Sequence, residues 1–157
     1  MMLECLKSIL KRKYNYYKVY AHNMAKFDII FLFKYLVKLG KVKPIIHNGK
    51  FISVTIVYGD NEQYQIEFKD SILLLLYSLK SLCSSFKIDE GKSIFPHLFV
   101  NENNLEYKGD VPRIEDFYKI SDNEYQEYKR SYNVGSLKTE AIKYCKIDCV
   151  SLHKIFV

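Results

Sequence analysis

The sequence has no tryptophan, and it contains only three prolines, six glycines and four cysteines among its 157 residues. So little glycine and proline excludes a collagen-like or low-complexity chain, and a hydrophobic fraction of 48% excludes a disordered one. The longest apolar run covers residues 72–77, far fewer than the roughly 20 residues that a membrane-spanning helix needs. We therefore expect no membrane association. The cysteines form no Cys-x-x-Cys pair, which argues against zinc and against a disulfide framework.

Basic residues outnumber acidic ones, 24 to 18, which gives a formal net charge of +6. Such a surface favours polyanions such as nucleic acid, although the same charge can serve solubility alone. Five residue types, Lys, Asn, Ile, Tyr and Phe, make up 70 of the 157 residues. Because their codons are rich in A and T, we infer an A/T-rich genome such as that of an organelle or an extrachromosomal element.

The hydrophobic pattern predicts a mixed α/β layer fold. The first predicted helix could be a mitochondrial presequence, but it lacks the Ser and Arg richness of one, so a packed helix is the better interpretation. The predicted helices cover residues 1–13, 26–39, 72–86, 121–132 and 136 to near the C-terminus. The predicted strands cover residues 16–21, 50–58 and 63–69, with a hairpin turn at 59–62 and irregular structure over 87–112.

One polar group falls where a predicted strand gives way to a helix. His22 and Asn23 follow the strand, and Phe27 and Asp28 open the helix. Ligands in α/β folds bind beyond the carboxyl ends of strands, so a carboxylate at this place points into the usual crevice. Taken alone, Phe-Asp at a helix start is an ordinary cap or exposed acid.

A second pair lies on the last predicted helix. Tyr144 and Asp148 are four residues apart, which places them on one helix face about 6 Å apart along the axis. Asp148 stands within a largely apolar stretch, so a buried carboxylate there needs a partner or a metal. Two carboxylates facing one another could hold two divalent cations that activate a water for attack on a phosphodiester.

These segments, taken in order, resemble the 3′–5′ exonuclease region of family B DNA polymerases, in particular the protein-primed branch of phages and of linear mitochondrial plasmids. Residues 20–28 (YAHNMAKFD) are similar to the second exonuclease motif, and residues 144–148 (YCKID) to the third. Residues 70–75 (DSILLL) are similar to a segment that holds the single-stranded 3′ end. Residues 86–88 (FKI), followed by Lys92, are similar to the stretch that supplies a lysine near the scissile phosphate.

The resemblance implies roles for individual residues. Asp28 and Asp148 would bind a pair of Mg²⁺ or Mn²⁺ ions, and Tyr144 would orient the attacking water. Lys92 would offset charge on the phosphate under attack. The remaining residues would contact the single-stranded 3′ end of DNA: His22, Asn23, Phe27, Phe31, Ser71 and Ile72.

The family's first exonuclease motif, Asp-x-Glu, is missing before His22, where the only acid is Glu4. Two-metal catalysis needs a carboxylate that bridges both ions. We therefore expect residues 1–157 to be a partial exonuclease domain of a DNA-directed DNA polymerase that acts in DNA replication, with the polymerase domain absent. The expected fold is α/β, an RNase H-like mixed sheet with flanking helices, truncated at its N-terminal strands. Little exonuclease activity is expected from the chain alone.

The resemblance further implies a terminal priming protein as partner of the intact enzyme and a mitochondrial location, encoded by the organelle or by a plasmid. A second hypothesis is a non-catalytic module that binds single-stranded DNA through its Tyr and Phe residues and its positive charge. A third is a structural protein with no nucleic-acid role. Affinity for oligo(dT) separates the third hypothesis from the others, and metal-dependent cleavage separates the first from the second.

Overall fold

The structure, a computed structural model, describes residues 2–88, 94–101, 103–132 and 136–157. Packing divides the chain into two compact units, Met1–Ser78 and Leu79–Val157. Within the described residues, no helix is both long enough and apolar enough to cross a membrane.

The first unit is built on a four-stranded mixed sheet with the strand order β1-β4-β3-β2. β1 runs parallel to β4, while β3 is antiparallel to both β2 and β4. The parallel pair makes the carboxyl ends of β1 and β4 neighbours, and this edge carries the candidate site. The strands are β1 (Lys18–Ala21), β2 (Lys41–His47), β3 (Lys50–Tyr58) and β4 (Tyr64–Asp70).

Two helices complete the first unit, α1 (Met2–Ile9) and α2 (Asp28–Leu36). Helix α1 buries Leu6, which supports a packed helix there as predicted. Helix α2 buries Ile29 and Leu36, seven residues apart and therefore on one face. These side chains pack against the alternating inward residues of β3 and β4 in one core: Leu6, Met24, Ile29, Leu36, Val54, Ile56, Tyr58, Ile66 and Phe68.

Strand β2 was not predicted, although the sequence contains a clear signal for it. Asn48 and Gly49 both have positive φ, 48° and 72°, and form the two-residue turn between β2 and β3. This is the turn that Asn-Gly pairs favour, because its twist matches that of the flanking strands. Pro44 lies in β2, an edge strand, where a missing N–H is tolerated.

The predicted helix over 72–86 is wrong for residues 72–78 and confirmed for Leu79–Ser85. Ser71–Leu73 forms one 3-10 turn, and a helix, α3, covers only Leu79–Ser85. The leucine run between them has no core to cover it, since Leu74 and Leu76 are 62% and 79% exposed. Hydrophobicity alone could not reveal this, because the run lacks the polar positions that distinguish one helix face from another.

The second unit contains α3 and two further helices, α4 (Asp122–Ser131) and α5 (Leu137–Phe156). The capping box that predicted α4 is present: Ser121 Oγ accepts from the Glu124 N–H, and the Glu124 side chain accepts from the Ser121 N–H. The last predicted helix is also confirmed. In the described part of this unit, the buried apolar side chains include Leu82, Phe117, Tyr128 and Leu137.

The predicted α/β class is therefore confirmed: a mixed sheet with flanking helices. The other strand predictions hold in type, but β1 begins at Lys18 rather than at residue 16. The hairpin turn at 59–62 is present, with the Glu62 N–H donating to the Gly59 carbonyl over 3.0 Å.

Candidate nucleic-acid and metal site

The candidate site of the first unit begins where two parallel strands end side by side. Ala21, the last residue of β1, pairs with Asp70, the last residue of β4. The segment that follows β1 therefore lies beside the segment that follows β4. His22 and Ser71 are 49 positions apart in the sequence, and the sheet brings them into hydrogen-bond contact.

Asp70 ties the two segments together. Its side chain is buried, with 3% of the residue exposed. The Ala25 N–H donates to Oδ2 over 2.9 Å, and the Ile72 N–H donates to Oδ1 over 3.0 Å. Backbone donors to a carboxylate are among the strong hydrogen bonds of proteins. One carboxylate thus fixes the backbone of both segments at once.

His22 extends this connection to the exposed leucine run. Its Nε2 lies 2.9 Å from the Tyr77 carbonyl oxygen, and its Nδ1 lies 3.0 Å from Ser71 Oγ. A carbonyl oxygen can only accept, so His22 Nε2 carries a proton and donates to Tyr77, while the Ser71 hydroxyl lies within hydrogen-bond distance of both His22 Nδ1 and the Ala21 carbonyl oxygen. Ser71 is fully buried. The ring therefore fixes the course of the chain between Ser71 and Tyr77, where a helix was predicted.

Two phenylalanines beside this connection face solvent. Phe27 and Phe31, four residues apart at the start of α2, are 59% and 62% exposed, and Ile30 between them is 60% exposed. Asn23 adopts the left-handed conformation with φ 62°, which turns the chain sharply between β1 and α2. The result is an apolar surface next to a buried polar cluster, an arrangement that suits an unstacked base and its sugar.

Asp28 is the acid nearest this surface in the sequence. Partial burial raises the pKa of its carboxyl, a backbone hydrogen bond lowers that pKa, and the Asp70 carboxylate raises it. A second negative charge nearby is unfavourable unless a cation offsets it. Burial is the largest of these effects on the Asp28 pKa, and the nearby Asp70 charge is the smallest.

In the second unit, Tyr144 and Asp148 lie on α5 as predicted. The Tyr144 ring lies 5.3 Å from the Phe95 ring and 5.1 Å from the His97 ring, the latter edge-to-face. Burial lowers the pKa of His97, and the Asp148 carboxylate raises it. His97 thus contacts the Tyr144 ring and interacts electrostatically with the Asp148 carboxylate.

The structure groups the predicted residues in two sets. In the first unit, hydrogen bonds join His22 to Ser71 and Ile72 to Asp70, and the Asp70 carboxylate acts on Asp28. Asn23 and Phe27 lie in the chain segment that leads to Asp28, and Phe31 lies one turn further along α2. The second unit brings together Tyr144 and Asp148 with His97. Lys92 lies outside the described residues. A distance under about 8 Å between the Asp28 and Asp148 carboxylates, as a two-metal site allows, stays a prediction because the two aspartates belong to different units.

Three groups were missed by sequence reasoning. Asp70 was interpreted only as a cap and as part of a similar segment, and its role for Ala25 depends on strand pairing. The Tyr77 carbonyl lies in a stretch predicted as helix. His97 lies in a region predicted as irregular and has no motif around it. The described residues contain no group of three or more His, Cys, Asp or Glu side chains that could hold a metal ion.

Comparison with known proteins agrees with the resemblance. Residues 8–157 match the family model of DNA polymerase type B, organellar and viral. A probable DNA polymerase of Neurospora intermedia is 38% identical over 99% of this chain and 17% of its own length. One from Ascobolus immersus is 37% identical over 98% of this chain and 14% of its own length.

A probable DNA polymerase of Agaricus bitorquis is 34% identical over 88% of this chain and 18% of its own length. The chain thus spans about a sixth of the length of the curated relatives it matches. No solved structure matches it. Because the family model covers nearly the whole sequence, the chain belongs to the organellar and viral type B DNA polymerases.

Proposed function

We propose that this chain forms part of the 3′–5′ exonuclease region of a DNA-directed DNA polymerase, with an RNase H-like sheet. The observation that carries the proposal is the pairing of Ala21 with Asp70, which joins residues 22–28 to residues 70–72 at the carboxyl edge of two parallel strands. Both segments were interpreted from sequence as contacts of a single-stranded 3′ end. Their juxtaposition supports one continuous DNA path.

In this proposal the exposed apolar side chains of α2 hold the terminal bases. Phe27 and Phe31 offer ring faces to bases that have left a duplex, and Asn23 offers an amide for hydrogen bonding. A hydrogen bond joins the His22 and Ser71 side chains, which form one side of the DNA path. Ile72 is fixed by its N–H bond to Asp70.

Asp28 and Asp148 would hold Mg²⁺ or Mn²⁺. Carboxylate oxygens are the ligands these ions prefer, and the Asp70 carboxylate near Asp28 adds negative charge that a bound cation would offset. Bound there, such ions would activate a water and stabilise charge on the phosphate. Tyr144 would orient that water through its hydroxyl, and Lys92 would neutralise the phosphate.

The chain by itself is expected to cleave DNA little or not at all. The residues before His22 hold one acid, Glu4, and a two-metal site needs a carboxylate that bridges both ions. We further propose that the intact enzyme binds a terminal priming protein, is located in mitochondria and replicates a linear plasmid. These proposals are supported by the organellar and viral family and the fungal relatives.

Titration with Mn²⁺ tests the metal site directly, because the paramagnetic ion broadens nearby amide signals in NMR spectra. We expect broadening around Asp28 and around Asp148 at the same ion concentration, and loss of both in Asp28→Asn. Asp60→Asn, in the exposed turn after β3, is the control and leaves both unchanged. Broadening that Asp28→Asn does not alter would contradict a shared site.

Degradation of a labelled single strand tests the expected inactivity. We expect no shortening from the 3′ end with Mg²⁺ or Mn²⁺. Mg²⁺-dependent shortening that disappears in Asp28→Ala would refute the expected inactivity and would establish the exonuclease role.

A non-catalytic single-stranded DNA-binding module is the second candidate function. It is favoured by the exposed Phe27 and Phe31 together with a net charge of +6. This candidate predicts oligo(dT) binding that Phe27→Ala weakens and that neither divalent ions nor Asp28→Asn affect.

A further inference from the structure

Two adjacent tyrosines stand in the loop that leads into β1. Tyr16 and Tyr17 are 71% and 58% exposed. Tyr16 has a φ of 64°, a left-handed conformation that is strained for a bulky residue. The sequence predicted a strand here, and a strand would have alternated these side chains along an edge. The observed backbone presents both rings to solvent.

The loop is nevertheless held firmly against β4. The Tyr16 N–H donates to the Gln65 carbonyl over 2.7 Å, and the Glu67 N–H donates to the Tyr17 carbonyl over 3.1 Å. The Gln65 N–H donates to Asn15 Oδ1 over 2.8 Å. Three hydrogen bonds therefore hold Tyr16 in its strained conformation, so the exposed rings sit on a fixed backbone.

The Tyr17 ring is also fixed from the side. It packs edge-to-face on Tyr14 with 5.5 Å between the ring centroids. Tyr14 in turn packs against the core of the first unit, and Lys13 Nζ lies 4.6 Å from the centre of its ring. A ring fixed in this way loses little conformational entropy when a flat ligand stacks on it.

Four cations stand close to the two tyrosines in the sequence. Lys11, Arg12 and Lys13 precede them, Lys18 follows, and all four are exposed. In the part of the chain that the structure describes, the ion pairs involve other cations, so none of these four is neutralised by a carboxylate. We call this surface the tyrosine patch: Lys11, Arg12, Lys13, Tyr16, Tyr17 and Lys18.

We propose that the tyrosine patch binds single-stranded DNA as a second contact, separate from the 3′-end site. Bases stack on Tyr16 and Tyr17, and the four cations contact phosphates. Exposed rings flanked in the sequence by exposed cations fit unstacked bases, whereas a duplex offers no free base faces. Glu67, which pairs with Lys18 on the neighbouring strand, forms an ion pair with Lys69. Tyr16 and Tyr17 precede the four-residue strand β1, and the 3′-end site follows it, so the strand separates the rings from that site by about 13 Å. The inference rests on the proposed function, since it takes DNA as the ligand of this unit.

Fluorescence anisotropy with a labelled oligo(dT) of about 12 nucleotides, within the range bound by single-strand modules, tests the patch. The double variant Tyr16→Ala/Tyr17→Ala should bind at least roughly 30-fold more weakly, because two stacking contacts are lost. Tyr16→Phe keeps the ring and should bind like the unaltered chain. Lys13→Gln should lower the dependence of affinity on salt, whereas the tyrosine variants should not.

Tyr118→Ala is the matched control, because Tyr118 is 67% exposed and has Lys119 Nζ 5.3 Å from its ring centre. This variant should not change binding. Circular dichroism checks that each variant folds, and Tyr16→Gly, which removes both the ring and the backbone strain, gives a folded ring-less variant if Tyr16→Ala does not fold.

The outcomes separate this inference from the proposed function. If Phe27→Ala weakens binding and the double tyrosine variant does not, the patch is wrong and the 3′-end site stands. If only the tyrosine variants weaken binding, the patch stands and the 3′-end site is wrong. If the unaltered chain fails to bind oligo(dT) even at low salt, both are overturned.

Discussion

In the first unit the candidate residues stand at the ends of two strands and are joined by hydrogen bonds, whereas in the second unit they lie on one helix among aromatic rings. Asp70 accepts from two backbone N–H groups in the first unit. In the second unit, Tyr144 packs against Phe95 and His97 at ring distances of 5.3 and 5.1 Å. The first arrangement fixes the backbone, and the second fixes a side chain.

The cores of the two units differ in the same way. Most buried apolar residues in the described chain belong to the first unit and come from aliphatic strand and helix positions. In the second unit Phe117 and Tyr128 pack edge-to-face at 5.1 Å, and Tyr128 donates to Glu140 over 3.3 Å. The first unit therefore depends on one buried carboxylate for its site, and the second on phenol and ring contacts.

The largest effect is expected from Asp70→Ala, because it leaves the Ala25 and Ile72 N–H groups without their acceptor. The free energy of unfolding should fall by about 2–4 kcal/mol, measured by urea denaturation. For Asp70→Asn the loss of unfolding free energy should be smaller than for Asp70→Ala, because the amide oxygen can keep one of the two hydrogen bonds. Asp60→Ala, at an exposed turn, is the control and should stay within about 0.5 kcal/mol. A loss no larger than that of the control would show that Asp70 does not hold the site.

Tyr128→Phe should have a smaller effect, about 1 kcal/mol, since it removes one hydrogen bond to Glu140 from a buried ring. Burial and the Glu140 carboxylate raise the pKa of Tyr128 in the folded chain. A phenol with a raised pKa stabilises the fold below its unfolded pKa, near 10, and this contribution is lost as the pH rises further.

Unfolding measured from pH 8 to pH 11 should therefore show a steeper loss of stability in the unaltered chain than in Tyr128→Phe. Tyr118→Phe, at an exposed position, should keep the slope of the unaltered chain. Equal slopes in all three proteins would contradict a role for Tyr128 ionisation in the second unit.

His22→Ala should act locally in the first unit. It removes the bonds to Ser71 Oγ and to the Tyr77 carbonyl, so hydrogen exchange of the amides in residues 74–78 should quicken roughly fivefold, as loss of about 1 kcal/mol implies. His153→Ala, at an exposed position of α5, is the comparison variant. Unchanged exchange at residues 74–78 would mean that His22 does not hold the leucine run.

The smallest effects are expected from surface ion pairs in either unit. Lys41 and Glu62 pair over 3.4 Å in the first unit, and Lys80 and Glu124 over 3.4 Å in the second. Each Lys→Ala change should cost under about 0.5 kcal/mol, since three of the four side chains are exposed and screened by water. A larger loss at Lys80 would show that the capping box around Glu124 depends on this pair.

Local signals in the sequence were sufficient to predict the elements that depend on neighbouring residues. The capping box at Ser121 predicted the start of α4, and the alternation in residues 50–58 predicted β3. The Asn48-Gly49 pair is an equally clear signal for the turn between β2 and β3, which was not predicted. The leucine run misled because an apolar stretch without polar positions does not reveal whether a core will cover it.

The sequence by itself determined the family, the α/β class and the positions of the motif residues. Those features depend on residue identity and short-range spacing, which the chain carries directly. Only the tertiary structure decided that Asp70 connects the segments after β1 and β4, that His22 reaches Tyr77, and that Tyr16 and Tyr17 stand exposed on a fixed loop. Contacts between residues some 50 positions apart depend on which strands pair and in which register, and no local pattern specifies that pairing.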